Sequence, residues 1–81
     1  MRLLFVEENA ALLSQTAKLL KKNGYGIDVC SNGRAAESLI FSGNYDCIVL
    51  DAALFDISGL TLLKALRSRQ YSTPVLMISA D

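Results

Sequence analysis

Apolar runs of strand length alternate along the chain with amphipathic runs of helix length. Four short, β-prone runs have the length of strands, and they lie at residues 2–6, 26–30, 47–50 and 75–78. Three longer runs repeat apolar residues at helical spacing, and they lie at residues 10–23, at residues 34–42 and from Leu60 to Arg69. The pattern predicts the order β-α-β-α-β-α-β, which favours an α/β fold with a parallel sheet and right-handed crossovers.

The predicted strands differ in how completely they should be buried. The run Cys47-Ile48-Val49-Leu50 is continuously apolar, as central parallel strands are because helices cover both of their faces. Residues 26–30 alternate, with Ile27 and Val29 between more polar neighbours, which indicates an edge or half-exposed strand. We interpret residues 51–59, which end at Ser58-Gly59, as a loop.

Each predicted helix has residues that mark a face toward the sheet. These residues are Leu13, Ala17 and Leu20, then Ala36, Leu39 and Ile40, then Leu60, Leu63 and Leu66. Asn9 is the predicted N-cap of the first helix, and Gly24 is its predicted C-terminal stop.

The amino-acid composition argues against several classes of protein. The 81 residues suffice for one small domain, and a chain that is 52% hydrophobic and 20% charged is not intrinsically disordered. Eight basic and eight acidic side chains give zero formal charge, so direct nucleic-acid contact by this segment is not expected. Two cysteines in no metal-like spacing, with no membrane-length or signal-peptide run, predict a reduced cytoplasmic protein without membrane contact.

Acidic and hydroxyl side chains follow three of the predicted strands. Glu7 and Glu8 follow the first strand, Asp51 follows the third, and Ser79 follows the fourth. Because ligands bind beyond the carboxyl ends of parallel strands, we expect these groups to converge on one edge of the sheet. Clustered carboxylates repel each other unless a cation lies between them, and magnesium fits an all-oxygen ligand set. A carboxylate beside such an ion is a candidate nucleophile toward a phosphoryl group.

Each of these residues alone also has a simpler explanation. An isolated aspartate after a strand is usually a turn former or a helix cap. Glu7-Glu8 alone would be a solvated loop pair, and Ser79 alone an ordinary strand-end hydroxyl. Periodicity leaves both interpretations open, and only the joint placement of the residues favours a functional site.

Four segments of the sequence stand out together, and they are Met1-Arg2-Leu3-Leu4-Phe5-Val6-Glu7-Glu8-Asn9, Tyr45-Asp46-Cys47-Ile48-Val49-Leu50-Asp51, Gly59-Leu60 and Thr73-Pro74-Val75-Leu76-Met77-Ile78-Ser79-Ala80. These segments resemble the response-regulator receiver domains of two-component signalling, especially those of winged-helix transcriptional regulators. They follow the family in register over the whole chain. The resemblance implies a flavodoxin-like (CheY-like) parallel sheet with flanking helices and a non-enzymatic signalling role.

The resemblance also implies residue roles. Asp51 would accept a phosphoryl group from a sensor histidine kinase, with Ser79 and the backbone amide of Ala80 contacting the phosphoryl oxygens. Magnesium would be bound by the side chains of Glu8 and Asp51 and the carbonyl of Ala53, with Glu7 assisting directly or through water.

The sequence departs from the family pattern at three places. Glu8 stands where aspartate is usual, and its extra methylene moves the carboxylate away from the position that magnesium geometry favours. Phe55 stands where proline is common, which predicts a slightly less rigid loop. We expect residues 1–81 to be a partial receiver, without the fifth strand, the lysine at its end and two further helices. That absence predicts impaired phosphotransfer.

Two other function classes compete with the phosphoacceptor. One is a phosphorylation-independent interaction module that self-associates as a homo-oligomer through the fourth strand or an uncovered sheet face. Glu8 and the absent lysine support this interaction module, whereas Asp51 and Ser79 support the receiver. The other is an enzyme on a flavodoxin-like scaffold, which is not expected because the sequence has no histidine and no glycine-rich phosphate loop.

Overall fold

The computed structural model describes residues 1–79 and has the predicted alternation of strands and helices. The elements are β1 (Arg2–Val6), α1 (Ala10–Lys22), β2 (Gly26–Cys30), α2 (Gly33–Ser42), β3 (Cys47–Asp51), α3 (Gly59–Ser68) and β4 (Val75–Ile78). The N-cap side chains Asn9, Asn32 and Ser58 begin the three helices by accepting backbone N–H groups of the first turn.

The four strands form one parallel sheet in the order β2-β1-β3-β4. This order makes β2 an edge strand, as its alternating sequence predicted, and puts the continuously apolar β3 between two neighbours. The predicted α/β fold with a parallel sheet is therefore confirmed. Asp51 pairs with Ile78 as the last residue of β3, so the loop toward α3 is one residue shorter at each end than the sequence predicted.

Helices cover the two faces of the sheet unequally. On one face α2 and α3 pack over the side chains of Leu4, Val6, Ile48 and Leu50. On the other face Leu13 of α1 packs with a smaller group, which consists of Leu3, Phe5 and Ile27. Leu76 on β4 stays 58% exposed.

One prediction about a helix face was wrong in part. In α3 the fully buried residues are Leu62 and Leu66, whereas the predicted Leu60 is 54% exposed. Gly59 begins the helix against the sheet, so the buried face follows the spacing 59, 62 and 66. In α1 the predicted Leu13 is buried against the sheet.

Polar side chains connect the three strand starts at the edge of the sheet opposite to Asp51. The backbone N–H of Arg2 donates to Asp46 Oδ2 at 2.7 Å. The Arg2 guanidinium lies 2.7 Å from Asp28 Oδ2, and Tyr45 Oη donates to the same oxygen at 2.6 Å. Each of these contacts spans at least 17 residues of sequence, so together they tie β1, β2 and β3 to one another.

Both cysteines are free thiols, and each is half-buried. Burial raises the pKa of Cys30 to about 11, Asp56 adds to the rise, and a hydrogen bond with the backbone of Asn32 offsets part of it. Among residues 1–79, none of the helices has the length and apolar character that a membrane span requires.

Candidate functional site

The carboxyl ends of β1, β3 and β4 meet at one edge of the sheet, as the sequence predicted. Val6 pairs with Leu50, so Glu7 follows β1 at the level where Asp51 ends β3. Asp51 itself pairs with Ile78, and the N–H of Ala52 donates to the Ile78 carbonyl at 2.8 Å. Ser79 immediately follows β4 and is exposed. The strand ends therefore bring Glu7, Asp51 and Ser79 to the same side of the molecule.

Asp51 is the one buried charged side chain within the part of the chain that the structure describes, with 9% of its surface exposed. Its Oδ1 accepts the backbone N–H of Ala53 at 3.0 Å. A charge at a buried position is costly unless a hydrogen bond or a cation compensates it. This fixed, largely desolvated carboxylate is the centre of the candidate site.

The two glutamates have different surroundings. Glu7 is half-buried, and its Oε2 accepts the N–H of Asn9 at 2.9 Å, so this carboxylate supports the start of α1. Glu8 is exposed. Within residues 1–79, the carboxylates of Glu7, Glu8 and Asp51 do not lie close enough together for all three to bind one metal ion. The three predicted carboxylates therefore lie at the same end of the sheet but do not surround a common metal position.

Gly59 lets α3 begin directly against the end of β3. Its N–H donates to the Ala52 carbonyl at 3.0 Å. A Cβ at this position would lie 2.6 Å from the backbone oxygen of Asp51 and 2.9 Å from Ala52 Cα. Only glycine permits this approach without a shift of the backbone, so Gly59 fixes how closely the loop after β3 follows the sheet edge.

Asp56, which sequence reasoning did not identify, joins the loop after β3 to the start of α2. Its Oδ1 accepts the N–H groups of Gly33 at 2.8 Å and Ile57 at 2.9 Å, and its Oδ2 accepts that of Arg34 at 2.9 Å. Desolvation raises the pKa of Asp56, but these hydrogen bonds lower it by more, so it lies below its ordinary value. No local pattern connects Asp56 with Gly33, which is 23 residues away.

The structure describes one of the two residues that were predicted to contact the phosphoryl group. Ser79 lies at the predicted edge of the sheet, immediately after β4. Ala80, whose backbone amide was the second predicted contact, lies outside the described residues. The roles of both residues stay predictions.

A small cleft of about 130 Å³ lies on the opposite side of the molecule, at the start of β3. Tyr45, Tyr71 and Thr73 are among the residues that line it. Since β3 runs from this cleft to Asp51 at its other end, the cleft is separate from the carboxylate site.

The chain matches the family model of the response regulator receiver domain over residues 3–81. It is 35% identical over 79 residues to the transcriptional regulatory protein TcrA of Mycobacterium tuberculosis, which covers 98% of this chain and 31% of TcrA. It is 35% identical to BasR of Escherichia coli and 38% identical to TctD of Salmonella typhimurium, over 99% of this chain and 36% of each relative. The chain thus spans about a third of the length of these curated relatives.

Solved structures agree with the family match. A response regulator receiver domain from Francisella superposes with a TM-score of 0.93 at 32% identity, covering 98% of this chain and 65% of that one. The response regulator TrrA from Thermotoga maritima, solved in complex with Mg²⁺-BeF, superposes with a TM-score of 0.90 at 31% identity, covering 99% and 70%. The fold, the strand-end residues and these matches agree that the chain belongs to the response regulator receiver domain family.

Proposed function

We propose that Asp51 accepts a phosphoryl group from a sensor histidine kinase. The observation that carries this proposal is the environment of Asp51: a carboxylate with 9% exposure at the end of a central strand, held by the Ala53 N–H at 3.0 Å. The position of Asp51 at the same end of the sheet as Glu7 and Ser79 also supports the proposal. Desolvation makes a carboxylate a stronger nucleophile because less water must be displaced before it attacks.

The chemistry is an exchange of one bond to phosphorus for another. A carboxylate oxygen of Asp51, which we assign as Oδ2, attacks the phosphorus of a phosphohistidine. The P–N bond breaks, its electron pair stays on the imidazole nitrogen, and an acyl phosphate forms on Asp51. The Ala53 N–H holds Oδ1, which orients the carboxylate, and the Ser79 hydroxyl donates a hydrogen bond to a phosphoryl oxygen.

The residues around Asp51 fit magnesium in their chemistry. Glu7, Glu8, Asp51 and the Ala53 carbonyl are all oxygen donors, and magnesium binds through one or two carboxylates while it keeps several waters. A cluster of three carboxylates is therefore not required. When bound, the ion would neutralise charge on the transferred phosphoryl oxygens. The complex of TrrA with Mg²⁺-BeF supports this assignment by likeness.

Intact-mass measurement tests the phosphoacceptor. Wild type and Asp51→Asn are incubated with acetyl phosphate and magnesium, and we expect one phosphoryl group to add to wild type only. Asp46→Asn is the matched control because Asp46 lies at the opposite end of β3 and accepts a backbone N–H at 2.7 Å. An equal mass gain in wild type and Asp51→Asn would show that another residue is modified.

The cellular role is proposed from the relatives. TcrA, BasR and TctD are transcriptional regulatory proteins, so we propose that phosphorylation of this chain serves transcription control in the cytoplasm. This segment itself would not contact nucleic acid, since its formal charge is zero.

We also propose that the 81-residue chain forms a homo-oligomer through β4. Within residues 1–79, β4 pairs only with β3, and Leu76 is 58% exposed beside the half-buried Met77 and Ile78. An apolar edge strand is a template for pairing with another chain. Light scattering coupled to size exclusion should give a mass above the monomer. Leu76→Lys should lower that mass, whereas Leu60→Lys on α3, where leucine is 54% exposed, should not; a wild-type monomer would contradict the proposal.

A further inference from the structure

Asp56 is placed to control the geometry of the phosphoacceptor loop. The loop runs over residues 52–58, between β3 and α3, and begins directly after Asp51. It carries the Ala53 N–H that holds Asp51 Oδ1 at 3.0 Å. Any displacement of this loop therefore moves the group that orients the phosphoacceptor.

The Asp56 carboxylate holds the middle of the loop together with the buried side chain of Leu54. Phe55 is 76% exposed, so burial of its side chain does not fix this stretch. Asp56, in contrast, accepts three backbone N–H groups at 2.8–2.9 Å, two of which belong to Gly33 and Arg34 at the start of α2. Hydrogen bonds to a charged acceptor are stronger than neutral ones, and an anion is favoured at a helix N-terminus.

Helix α2 depends on Asp56 for part of its N-terminal capping. Its own cap, Asn32, accepts the N–H of Ala35 at 2.8 Å. Asp56 accepts the two N–H groups before it, those of Gly33 and Arg34. The first three N–H groups of α2 thus donate to two side chains. Asn32, next to the helix, accepts one of them, and Asp56, in the phosphoacceptor loop, accepts the other two.

Glycine at position 33 makes the close approach of the loop possible. A Cβ on Gly33 would lie 2.3 Å from Ile57 Cγ1, 2.9 Å from Ile57 Cδ1 and 3.3 Å from Asp56 Oδ1. Leu54, from the same loop, is buried in the core cluster together with Ala36 of α2. The loop and α2 therefore form one packed unit, with Asp56 as its polar connection.

We propose that Asp56 is a positioning residue for phosphorylation, which acts by clamping the phosphoacceptor loop to α2 so that the Ala53 N–H holds Asp51 in its attacking orientation. The proposal rests on the proposed function of Asp51. It also predicts that the movement of α2 and the state of Asp51 are coupled, because both are connected to the same loop.

The experiment compares Asp56→Ala and Asp56→Asn with the control Asp46→Ala, which also loses a carboxylate that accepts a backbone N–H. All rates are divided by the folded fraction. Phosphorylation of Asp51 by acetyl phosphate should fall about tenfold in Asp56→Ala, because small displacements of reacting groups cost up to about a hundredfold. Asp46→Ala should stay within about twofold of wild type.

Asp56→Asn should give partial rescue because its amide oxygen can still accept the bonds from Gly33 and Ile57. A second readout, hydrogen exchange of the Ala53 amide, does not need phosphorylation. Exchange should accelerate in Asp56→Ala and stay unchanged in Asp46→Ala.

Equal Ala53 exchange in both alanine variants would overturn the proposal, as would equal phosphorylation rates. If wild type itself gains no phosphoryl group, the proposed function of Asp51 fails. The exchange comparison still decides whether Asp56 positions the Ala53 N–H in that case.

Discussion

Replacement of Gly59 by alanine should disturb the phosphoacceptor strand from within the fold. The new Cβ would lie 2.6 Å from the Asp51 backbone oxygen, 2.9 Å from Ala52 Cα and 2.9 Å from Met77 Sδ. Ordinary Cβ contacts begin at 3.4 Å, so the Asp51 carbonyl and the helix start must separate by about 0.8 Å. Two of the three neighbouring atoms belong to the backbone and cannot rotate away as a side chain does.

The size of the effect follows from two opposing contributions. Overpacking in a well-packed site costs about 1–3 kcal/mol, and alanine's better helix propensity offsets up to about 1 kcal/mol of it. We therefore expect the free energy of unfolding to fall by about 1–2 kcal/mol. For a chain of this size, that corresponds to a decrease in Tm of about 5–15 °C.

Urea and thermal unfolding of Gly59→Ala measure this change, with Gly26→Ala as the matched control. A Cβ on Gly26 would meet its nearest neighbours at 3.8 Å, so that variant should unfold within about 0.5 kcal/mol of wild type. Because the displaced carbonyl belongs to Asp51, Gly59→Ala should also be phosphorylated more slowly per folded molecule. If Gly59→Ala is as stable as Gly26→Ala, the steric reasoning is refuted.

Three further predictions concern charge and titration. Glu8→Asp should bind magnesium more tightly in a calorimetric titration, because the shorter side chain restores the usual ligand position; equal affinity would mean that Glu8 does not bind the ion. In a Cys47→Ser background, the alkylation rate of Cys30 should still rise about tenfold per pH unit up to about pH 10, since its pKa is about 11; a plateau near pH 9 would contradict this. The folded-state pKa of Asp56 lies below its unfolded value, so its stabilising contribution is present above about pH 4 and is lost as the pH falls through the folded pKa. Asp56→Asn should therefore show a weaker loss of stability than wild type when urea midpoints at about pH 5 and pH 3 are compared, and an unchanged acid dependence would argue against the Asp56 contacts.

Sequence patterns predicted the elements well because their signals are local. The continuous run from Cys47 to Leu50 was assigned to a central strand, and the alternating run at residues 26–30 to an edge strand; the sheet order agrees with both. The helix starting at Gly59 shows where local spacing fails, since the predicted Leu60 is exposed and the fully buried residues are Leu62 and Leu66. The rotation of α3 about its axis depends on the close approach of Gly59 to the sheet. The spacing of leucines along the sequence does not predict that approach.

The candidate site was predictable only as far as it depends on strand ends. Glu7, Asp51 and Ser79 lie together because parallel strands end at a common edge. The contact between Asp56 and the start of α2 could not be predicted, because it joins two loops 23 residues apart through backbone N–H groups that every residue type except proline carries. Glu8 is exposed, whereas Glu7 beside it is half-buried, a difference that the acidic pair in the sequence does not predict.

The polar contacts among Arg2, Asp28, Tyr45 and Asp46 jointly hold the strand register on which the orientation of Asp51 depends, although they lie at the other end of the sheet. Side chains on a strand alternate between its two faces, so a slip of β3 by one residue against β1 would turn Asp51 toward the face that α2 and α3 cover. Apolar pairing alone resists such a slip weakly in β3, where the residues on both faces are apolar. Tyr45 and Arg2 both bind Asp28, so the start of β3 stays connected to β1 and β2 even without the bond from the Arg2 backbone to Asp46, and loss of Asp46 alone should leave the register unchanged. Strand register at one end of the sheet therefore sets the face toward which Asp51 points at the other end.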